Sequence, residues 1–360
     1  MAQDDINIRM MQEYEKDLVI NAARRSFSYI IYVLFRVLYL SNRLKVLVAE
    51  QEGDIVGGSA LSVVNLGSHQ VGLVDFIFLI PEATGQGLGP QLLKSSEAYF
   101  EQWGIKEYVA FVDGYNSPSW KMFHRQDYYY LSLREQLALW GWKAFEFWFK
   151  SLYFKEIGHF MLVKNANKRL PAIKFSPLEI GFTLLALSFF GWWALRGRGI
   201  SFWLMLILLT LHILIYELME VIIARHLGYQ TEFRVWGNSI TVNFILLLIP
   251  GFFLPAFGSI YLADPEYNYK KKPSPKGKMA AGALLAGFLM AVIFSIFARL
   301  YETNFFVNGA FFSWFYYTFQ AVLIFSPLKM FKGQQLKRWQ PKFWYISLLG
   351  WILLTGLLFL

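Results

Sequence analysis

The sequence has 360 residues, 56% hydrophobic and 19% aromatic, with a positive mean hydropathy of +0.37; it is too apolar for a single water-soluble domain, so a membrane portion is expected. Its 34 Lys and Arg against 25 Asp and Glu leave a formal charge of +9, but the basic residues gather beside apolar runs, as in juxtamembrane loops, which argues against a nucleic-acid partner. There is no cysteine, which excludes disulfides, thiolate-bound metal and a cysteine nucleophile, and the polar, charged start argues against a signal peptide.

In chain order, the pattern predicts a strand over Ile6 to Met10 and then a charged helix with Glu13, Glu15, Lys16 and Asp17. Ser26 to Leu40 carries only Arg36 as a charge; at about 1.5 Å per residue it is too short to cross a bilayer, so it is buried, interfacial or the lid of a cleft. Lys45 to Glu50 and Ile55 to Val64 form a hairpin through Gly53-Asp54, and an alternating run from Val71 to Ile80 makes the central strand. The stretch Pro81 to Leu93 follows as a glycine-rich turn that opens an amphipathic helix. Gly85, Gly87 and Gly89 allow close backbone approach, and the helix start aims unpaired N–H groups at an anion, most naturally a phosphate. Tyr108 to Val112 is the next strand, Asn116-Ser117-Pro118-Ser119 starts a helix with a cap and an early proline, and His159 to Lys164 is a last strand. Between them, Leu133 to Phe154 reads as one helix with a polar stripe of Lys143, Glu146 and Lys150. The rest of its surface is rich in Trp and Phe, so it is either a core helix or, the favoured reading, one lying in the membrane interface.

The glycine-rich stretch resembles the acetyl-coenzyme A pyrophosphate loop of the GNAT-type N-acetyltransferases, where Arg or Gln is followed at set spacing by two small residues. Gly87 and Gly89 fit the small positions, Thr84 stands where Arg or Gln is usual, and Pro90 removes one N–H. Asn116, Ser119, Phe123 and Tyr128 resemble the family's second signature, and the order of elements over about residues 5 to 165 is the family's order. The resemblance implies an α+β fold, a mixed sheet with flanking helices, and a coenzyme site built from Leu79, Thr84, Gly85, Gln86, Gly87, Leu88, Gly89, Asn116, Ser119 and Phe123. It further implies direct attack of an amine on the thioester, with Asp75 as base and the Leu79 N–H as donor to the thioester oxygen. The neighbours of Asp75, namely Val74, Phe76, Ile77 and Phe78, are apolar, a setting in which a carboxylate gains basicity. The family's usual acid, a Tyr, is Phe123 here, which leaves Tyr115 or the Tyr128 to Tyr130 cluster as other donors.

Residues 166–177 form a basic, proline-containing linker, and the membrane domain is expected over 178–360. Apolar segments at about 178–195, 200–224, 279–300, 307–328 and 343–360 are long enough to span, or nearly so; 240–262 is a sixth span or, being broken by Pro250-Gly251 and Pro255, re-entrant. The re-entrant reading puts the basic loops Lys270 to Lys278 and Lys329 to Lys342 on the cytoplasmic side with residues 1–165.

Tyr216-Glu217-Leu218-Met219-Glu220, followed by Ala224-Arg225-His226-Leu227-Gly228, resembles the His-Glu-x-x-His motif of the site-2 proteases, intramembrane metalloproteases. Ile249-Pro250-Gly251, Ala280-Ala281-Gly282 and Phe331-Lys332-Gly333 resemble further pieces of that family, which has Leu-Asp-Gly at the last place. Position by position, Tyr216 and Glu220 replace the two His ligands and Lys332 replaces the Asp; such a set should not hold zinc, so neither a metal nor peptide hydrolysis is expected. Glu217 and Glu220 are either paired, for instance with His212, Lys332 or Arg299, or line a cavity for a ligand head group. Together the two resemblances imply an integral protein of the cell membrane that transfers acetyl from acetyl-coenzyme A to an amine acceptor. The alternative is a non-catalytic, acyl-coenzyme-A-responsive membrane regulator or pseudoprotease.

Overall fold

The structure is a computed structural model that describes every residue except 1–5, 42–43, 68, 166–176, 250, 264–266, 323–329 and 360, so most of the expected linker lies outside the described residues. The first half contains, in order, β1 (Ile6–Met10), α1 (Lys16–Ser26), α2 (Tyr29–Leu40), β2 (Lys45–Gln51), β3 (Asp54–Leu66), β4 (His69–Leu79), α3 (Leu88–Gln102), β5 (Glu107–Asp113), α4 (Ser117–His124), β6 (Tyr129–Tyr130), α5 (Leu133–Trp140), α6 (Lys143–Lys150) and β7 (His159–Asn165). The seven strands form one sheet in the order β1-β2-β3-β4-β5-β7-β6, and only β4 and β5 run parallel. A parallel pair needs a crossover, and α3 supplies it.

The period-two alternation of β4 and β5 explains the layers. Leu73, Val71 and Val109 point to one face, where Trp140, Phe147 and Trp148 of α5 and α6 cover them. Val74, Tyr108 and Ala110 point to the other face, under Leu93 and Phe100 of α3. Full burial of aliphatic and aromatic side chains such as these contributes roughly 1.5–3 kcal/mol each. The predicted single helix over 133–154 is in fact two, because Gly141 sits at φ 56°, ψ −137° and ends α5 after a Ser132–Glu135 capping box. The short edge strand β6 was not expected; two residues carry too little pattern to be read.

The second half is helical apart from one two-stranded ribbon: α7 (Pro177–Leu195), α8 (Phe202–His226), β8 (Thr231–Val235), α9 (Asn238–Leu246), β9 (Gly258–Leu262), α10 (Ser274–Tyr301), α11 (Asn304–Tyr317), α12 (Lys332–Trp339) and α13 (Pro341–Phe359), with β8 and β9 antiparallel. Among the described residues four helices are long and apolar enough to cross a membrane: Pro177–Arg198, which extends α7 by one turn, α8, α10 and α13. Among the described residues of 240–262 the helix is α9, which ends at Leu246. The chain folds back because the Asn243 amide donates to the Leu254 carbonyl at 2.9 Å and accepts from the Leu254 N–H at 2.8 Å. The expected span 307–328 is represented by α11 and a π-helical turn, Thr318–Val322, beyond which 323–329 lie outside the described residues. Helices α8 and α10 cross closely: a Cβ on Gly287 would stand 2.0 Å from the Tyr216 hydroxyl oxygen.

The two halves share one apolar cluster. Tyr115 and Phe160 of the first pack with Trp236, Leu254, Tyr261, Met330 and Phe331 of the second. The Tyr115 ring lies 4.8 Å from that of Tyr261, and the Arg234 guanidinium stacks over Trp120 at 4.8 Å and Tyr261 at 5.0 Å. Polar bonds are added at the rim, where Asn238 donates to the carbonyls of Glu156 and His159 and Tyr130 donates to Glu179. Gly114 is the tightest point of this junction, since a Cβ there would meet the Tyr261 ring at 2.6 Å and Phe160 at 2.7 Å. Gly114→Ala is therefore expected to destabilise the protein by about 1–3 kcal/mol, read as a lower thermal midpoint in detergent; an unchanged midpoint would mean that the halves are not docked there.

Candidate functional site

Beyond Val74 and Ala110 the parallel ladder stops, and β4 and β5 part. The cause is local to β4: opposite β3, Ala60 pairs with Phe76 and Leu61 with Val74, so Asp75 is an extra, bulged residue. From Asp75 to Leu79 the β5-facing edge of β4 has no ladder partner in β5, which leaves backbone groups, that of Leu79 among them, available to an inserted ligand. The bulge also turns the Asp75 carboxylate toward β3, where the Ser62 hydroxyl donates to it at 2.5 Å. Ser62 had no signal in the sequence, because its role depends on a register shift in the neighbouring strand.

Asp75 and Ser62 line a cavity of about 640 Å³ on the face of the sheet that carries α6. Its apolar walls include Leu38, Leu44, Leu73, Phe149 and Leu152. Lys150 also lines it, but its ammonium is committed to the Glu146 carboxylate at 2.6 Å and the Asn65 carbonyl at 2.8 Å.

At the end of β4 the chain makes a 3-10 turn, Pro81–Ala83, and reaches α3 through residues whose backbone only glycine adopts without strain: Gly85 at φ +90° and Gly87 at φ +81°, with open space around each. Thr84 folds its hydroxyl back to the Ile80 carbonyl at 3.1 Å, and Gln86 donates to the Glu82 carbonyl at 3.0 Å, so both side chains brace the turn. Thr84, Gly85, Gln86 and Gly87 are exposed, whereas Leu88 is buried and anchors the helix start. The first-turn N–H groups of α3 have no intrahelical acceptor. Gly89 lies against α4, 3.2 Å from the Met122 sulfur for an added Cβ.

Asn116 caps α4, accepting from the Ser119 N–H at 3.4 Å, and is exposed beside the half-buried Ser119. Phe123 is a core residue, 5.0 Å from the Tyr128 ring. Of the alternative proton donors, Tyr129 donates to Asp127 at 3.4 Å and the other three are buried. Tyr115 donates to Ser259 at 3.1 Å and accepts from Gln335 at 3.0 Å; Tyr130 donates to Glu179 at 3.1 Å; Tyr128 is fully buried beside Glu97. Burial raises the pKa of all three phenols well above the usual tyrosine range.

In the second half, Glu217 and Glu220 sit three residues apart and so share one face of α8. Lys332, at the start of α12, bonds Glu217 at 3.1 Å and Glu220 at 2.8 Å; Lys276, in the first turn of α10, bonds Glu220 at 2.9 Å and the Ile260 carbonyl at 2.6 Å. Glu217 also accepts from the Ile260 N–H at 2.9 Å. Tyr216 turns its ring away to Gly287 and Tyr316. Of the partners named for the carboxylates, Lys332 is the one observed. His212 bonds the Leu208 carbonyl and Ser313, and Arg299 bonds the Leu357 carbonyl. Lys276, in one of the expected basic loops, is buried in the first turn of α10; nothing in the sequence set it apart from the lysines around it. Among the described residues no group of three His, Asp or Glu side chains could hold a metal ion.

Two carboxylates and two ammonium groups thus balance inside an apolar domain, and removing one partner leaves a buried charge. Lys332→Met is expected to cost on the order of 3–5 kcal/mol of stability, with much of it recovered in Lys332→Met/Glu217→Gln; equal thermal midpoints for the single variant and the unaltered protein would dissolve the cluster.

Residues 9–128 match the Acetyltransferase (GNAT) family. A protein of Methanocaldococcus jannaschii that carries the name of a zinc metalloprotease is 28% identical over 142 residues, covering 38% of this chain and 72% of its own. Similar solved structures include the PaiA N-acetyltransferase of Thermoplasma acidophilum in complex with coenzyme A (17% identity, 45% of this chain, 99% of that one, TM-score 0.33). A GNAT family N-acetyltransferase of Escherichia coli in complex with CoA is likewise similar (18% identity, 46% of this chain, 84% of that one, TM-score 0.34).

Proposed function

We propose, from the premise that residues 9–128 lie in a GNAT-type acetyltransferase domain joined to a helical domain with site-2-protease-like motifs, that the protein is a membrane-anchored N-acyltransferase using acetyl-coenzyme A. The observation that carries this reading is the parting of β4 from β5 beside a glycine-built helix start. Together they form a groove with backbone donors at one end and a carboxylate at the other. Acetyl-coenzyme A would supply an activated acyl group and a thiolate leaving group.

The chain's own residues divide the remaining work. Gly85, Gln86, Gly87, Leu88 and Gly89 offer N–H groups to the pyrophosphate at a point where a side chain would stand in the way. Asn116, Ser119 and Phe123 border the path of the pantetheine arm, Phe123 as packed support rather than as a polar contact. The Leu79 N–H donates to the oxygen that gains charge as an amine attacks the carbonyl. Asp75, held by Ser62, takes the proton that the attacking ammonium must lose. The leaving thiolate takes a proton from solvent, since Tyr115, Tyr128 and Tyr130 are engaged in packing and junction contacts.

The expected boundaries, 1–165 for the catalytic domain and 178–360 for the membrane domain, belong to the same proposal. So does a topology of five crossings by α7, α8, α10, the α11 segment and α13. Its support is the set of second-half residues that the first half touches: Glu179 in the first turn of α7, Arg234 of β8, Asn238 of α9, Ser259 of β9 and Gln335 of α12. With the catalytic domain cytoplasmic, α12 and the start of α10 are cytoplasmic too, in agreement with their lysines. The alternative, an acyl-coenzyme-A-responsive regulator without turnover, draws on the link from Tyr115 through Ser259 to Lys332.

Four measurements test the proposal. Gly87→Glu puts bulk and negative charge at the phosphate and should weaken acetyl-coenzyme A binding by about tenfold or more, as titration would read; unchanged affinity would move the site elsewhere. Asp75→Asn should lower turnover by about 10² to 10⁴ while coenzyme binding survives, and undiminished turnover with an unchanged pH profile would remove Asp75 from the mechanism. Turnover of acetyl-coenzyme A by the unaltered protein separates enzyme from regulator. For topology, Ser274→Cys introduces a cysteine without background; an impermeant thiol reagent added outside intact cells should leave it unlabelled.

A further inference from the structure

Helix α6 has two apolar faces, one buried and one uncovered. Ala144, Phe147 and Trp148 are buried, whereas Trp142, just before the helix, is 87% exposed and Phe145 and Phe149 follow on the same stripe three and seven residues on. Lys143 and Lys150, themselves exposed, reach over to the Leu66 carbonyl at 3.0 Å and the Asn65 carbonyl at 2.8 Å. Helix α2 repeats the arrangement: Phe35, Leu38 and Tyr39 are buried, yet Tyr29, Val33, Val37 and Leu40, spaced by four, four and three, form a second apolar stripe that is uncovered. These two helices flank the mouth of the Asp75 cavity, for Leu38 lines it from α2 and Phe149 belongs both to its wall and to the outer stripe of α6. The 3-10 turn that follows α6 packs on α9, where Phe244 and, just past the helix, Leu248 and Ile249 are exposed and apolar. An aromatic belt joined in this way to a domain of membrane-length helices has the composition of a bilayer interface.

We propose that α2 and α6 rest in the membrane interface and that the acceptor of the acyl group is the primary amine of an amphiphile, whose alkyl chain stays in the bilayer while its ammonium enters the cavity. The assignment rests on the transferase reading above. The cavity suits such a molecule. Its floor has a carboxylate and a hydroxyl, Asp75 and Ser62, for one ammonium; its walls are Leu38, Leu44, Leu73, Phe149 and Leu152; and its one cation, Lys150, is already paired with Glu146. A highly charged soluble acceptor would leave those walls without use and its further charges unsatisfied. In the reaction the ammonium gives one proton to Asp75, the amine nitrogen so freed bonds to the acetyl carbon, the carbon–sulfur bond of the thioester breaks, and the second proton, lost as the amide forms, passes through solvent to the departing thiolate, so that coenzyme A leaves as the thiol.

The test uses the full chain in phospholipid nanodiscs and has two arms. In the first, Val37→Cys and Trp142→Cys carry an environment-sensitive fluorophore, which needs no acyl transfer to report. Quenching by lipid-borne quenchers, with little by aqueous iodide, is expected at both sites. Quenching by iodide at both would overturn the membrane placement of the rim. In the second arm, straight-chain primary alkylamines of four to sixteen carbons are offered with acetyl-coenzyme A. The ratio kcat/KM should rise with chain length, by at most about fourfold per methylene, the limit set by full transfer of the chain from water. A preference for the shortest amine, or for spermidine over all of them, would overturn the acceptor class even if the fluorophores lie in lipid. If no amine is acetylated and acetyl-coenzyme A does not bind, the transferase reading itself fails and the acceptor assignment with it, whereas binding without a chain-length preference defeats the acceptor assignment alone.

Discussion

Two carboxylates on one face of an apolar helix set the terms for the second half of this protein. Glu217 and Glu220 cannot stand unpaired inside a membrane-length bundle, because the desolvation of each costs several kcal/mol. Their neutralisation brings in Lys276 from the start of α10 and Lys332 from the start of α12, and the backbone of Ile260 in β9 bonds to both Glu217 and Lys276. The cluster thereby fixes where three other elements meet α8. Ser259, next to Ile260, lies 3.4 Å from Lys332 and accepts from Tyr115, so the same cluster also bears on how the first half sits on the second.

This arrangement also accounts for the fate of a protease-like motif without metal-binding chemistry. Positions that would face a cation now face cations of the protein itself, and Tyr216 uses its ring for helix packing on Gly287. The polar centre has become a structural joint. Its contact partner Tyr115 immediately precedes Asn116, the cap of α4, so the joint and the proposed coenzyme groove are neighbours along the chain.

In the first half the organising feature is one extra residue in β4. The bulge at Asp75 ends the parallel ladder, opens the groove between β4 and β5, and points a carboxylate into the cavity beneath α2 and α6. Groove and cavity therefore meet at the same residue, one on the edge of the strand and one on its face. The two surface helices around the cavity turn apolar stripes outward, which is intelligible once the membrane helices are taken as part of the same molecule.

The sequence alone was enough for the sheet-and-helix order of the first half, the glycine-built start of α3 and the apolar character of the second half. Each of these rests on local pattern: period-two alternation, glycine at positive φ, and long runs without charge. The expectation of no metal at the protease-like motif rests on side-chain chemistry alone, which can be read without the fold. Other features were decided only by tertiary structure. Lys276 became a buried counter-ion, Tyr115 a junction contact of Ser259 and Gln335, and Ser62 the partner of Asp75. Asn243 came to bond Leu254 through both halves of its amide. In every such case the deciding contact joins residues far apart in the chain or depends on a one-residue shift of register, and neither leaves a periodic trace in the sequence.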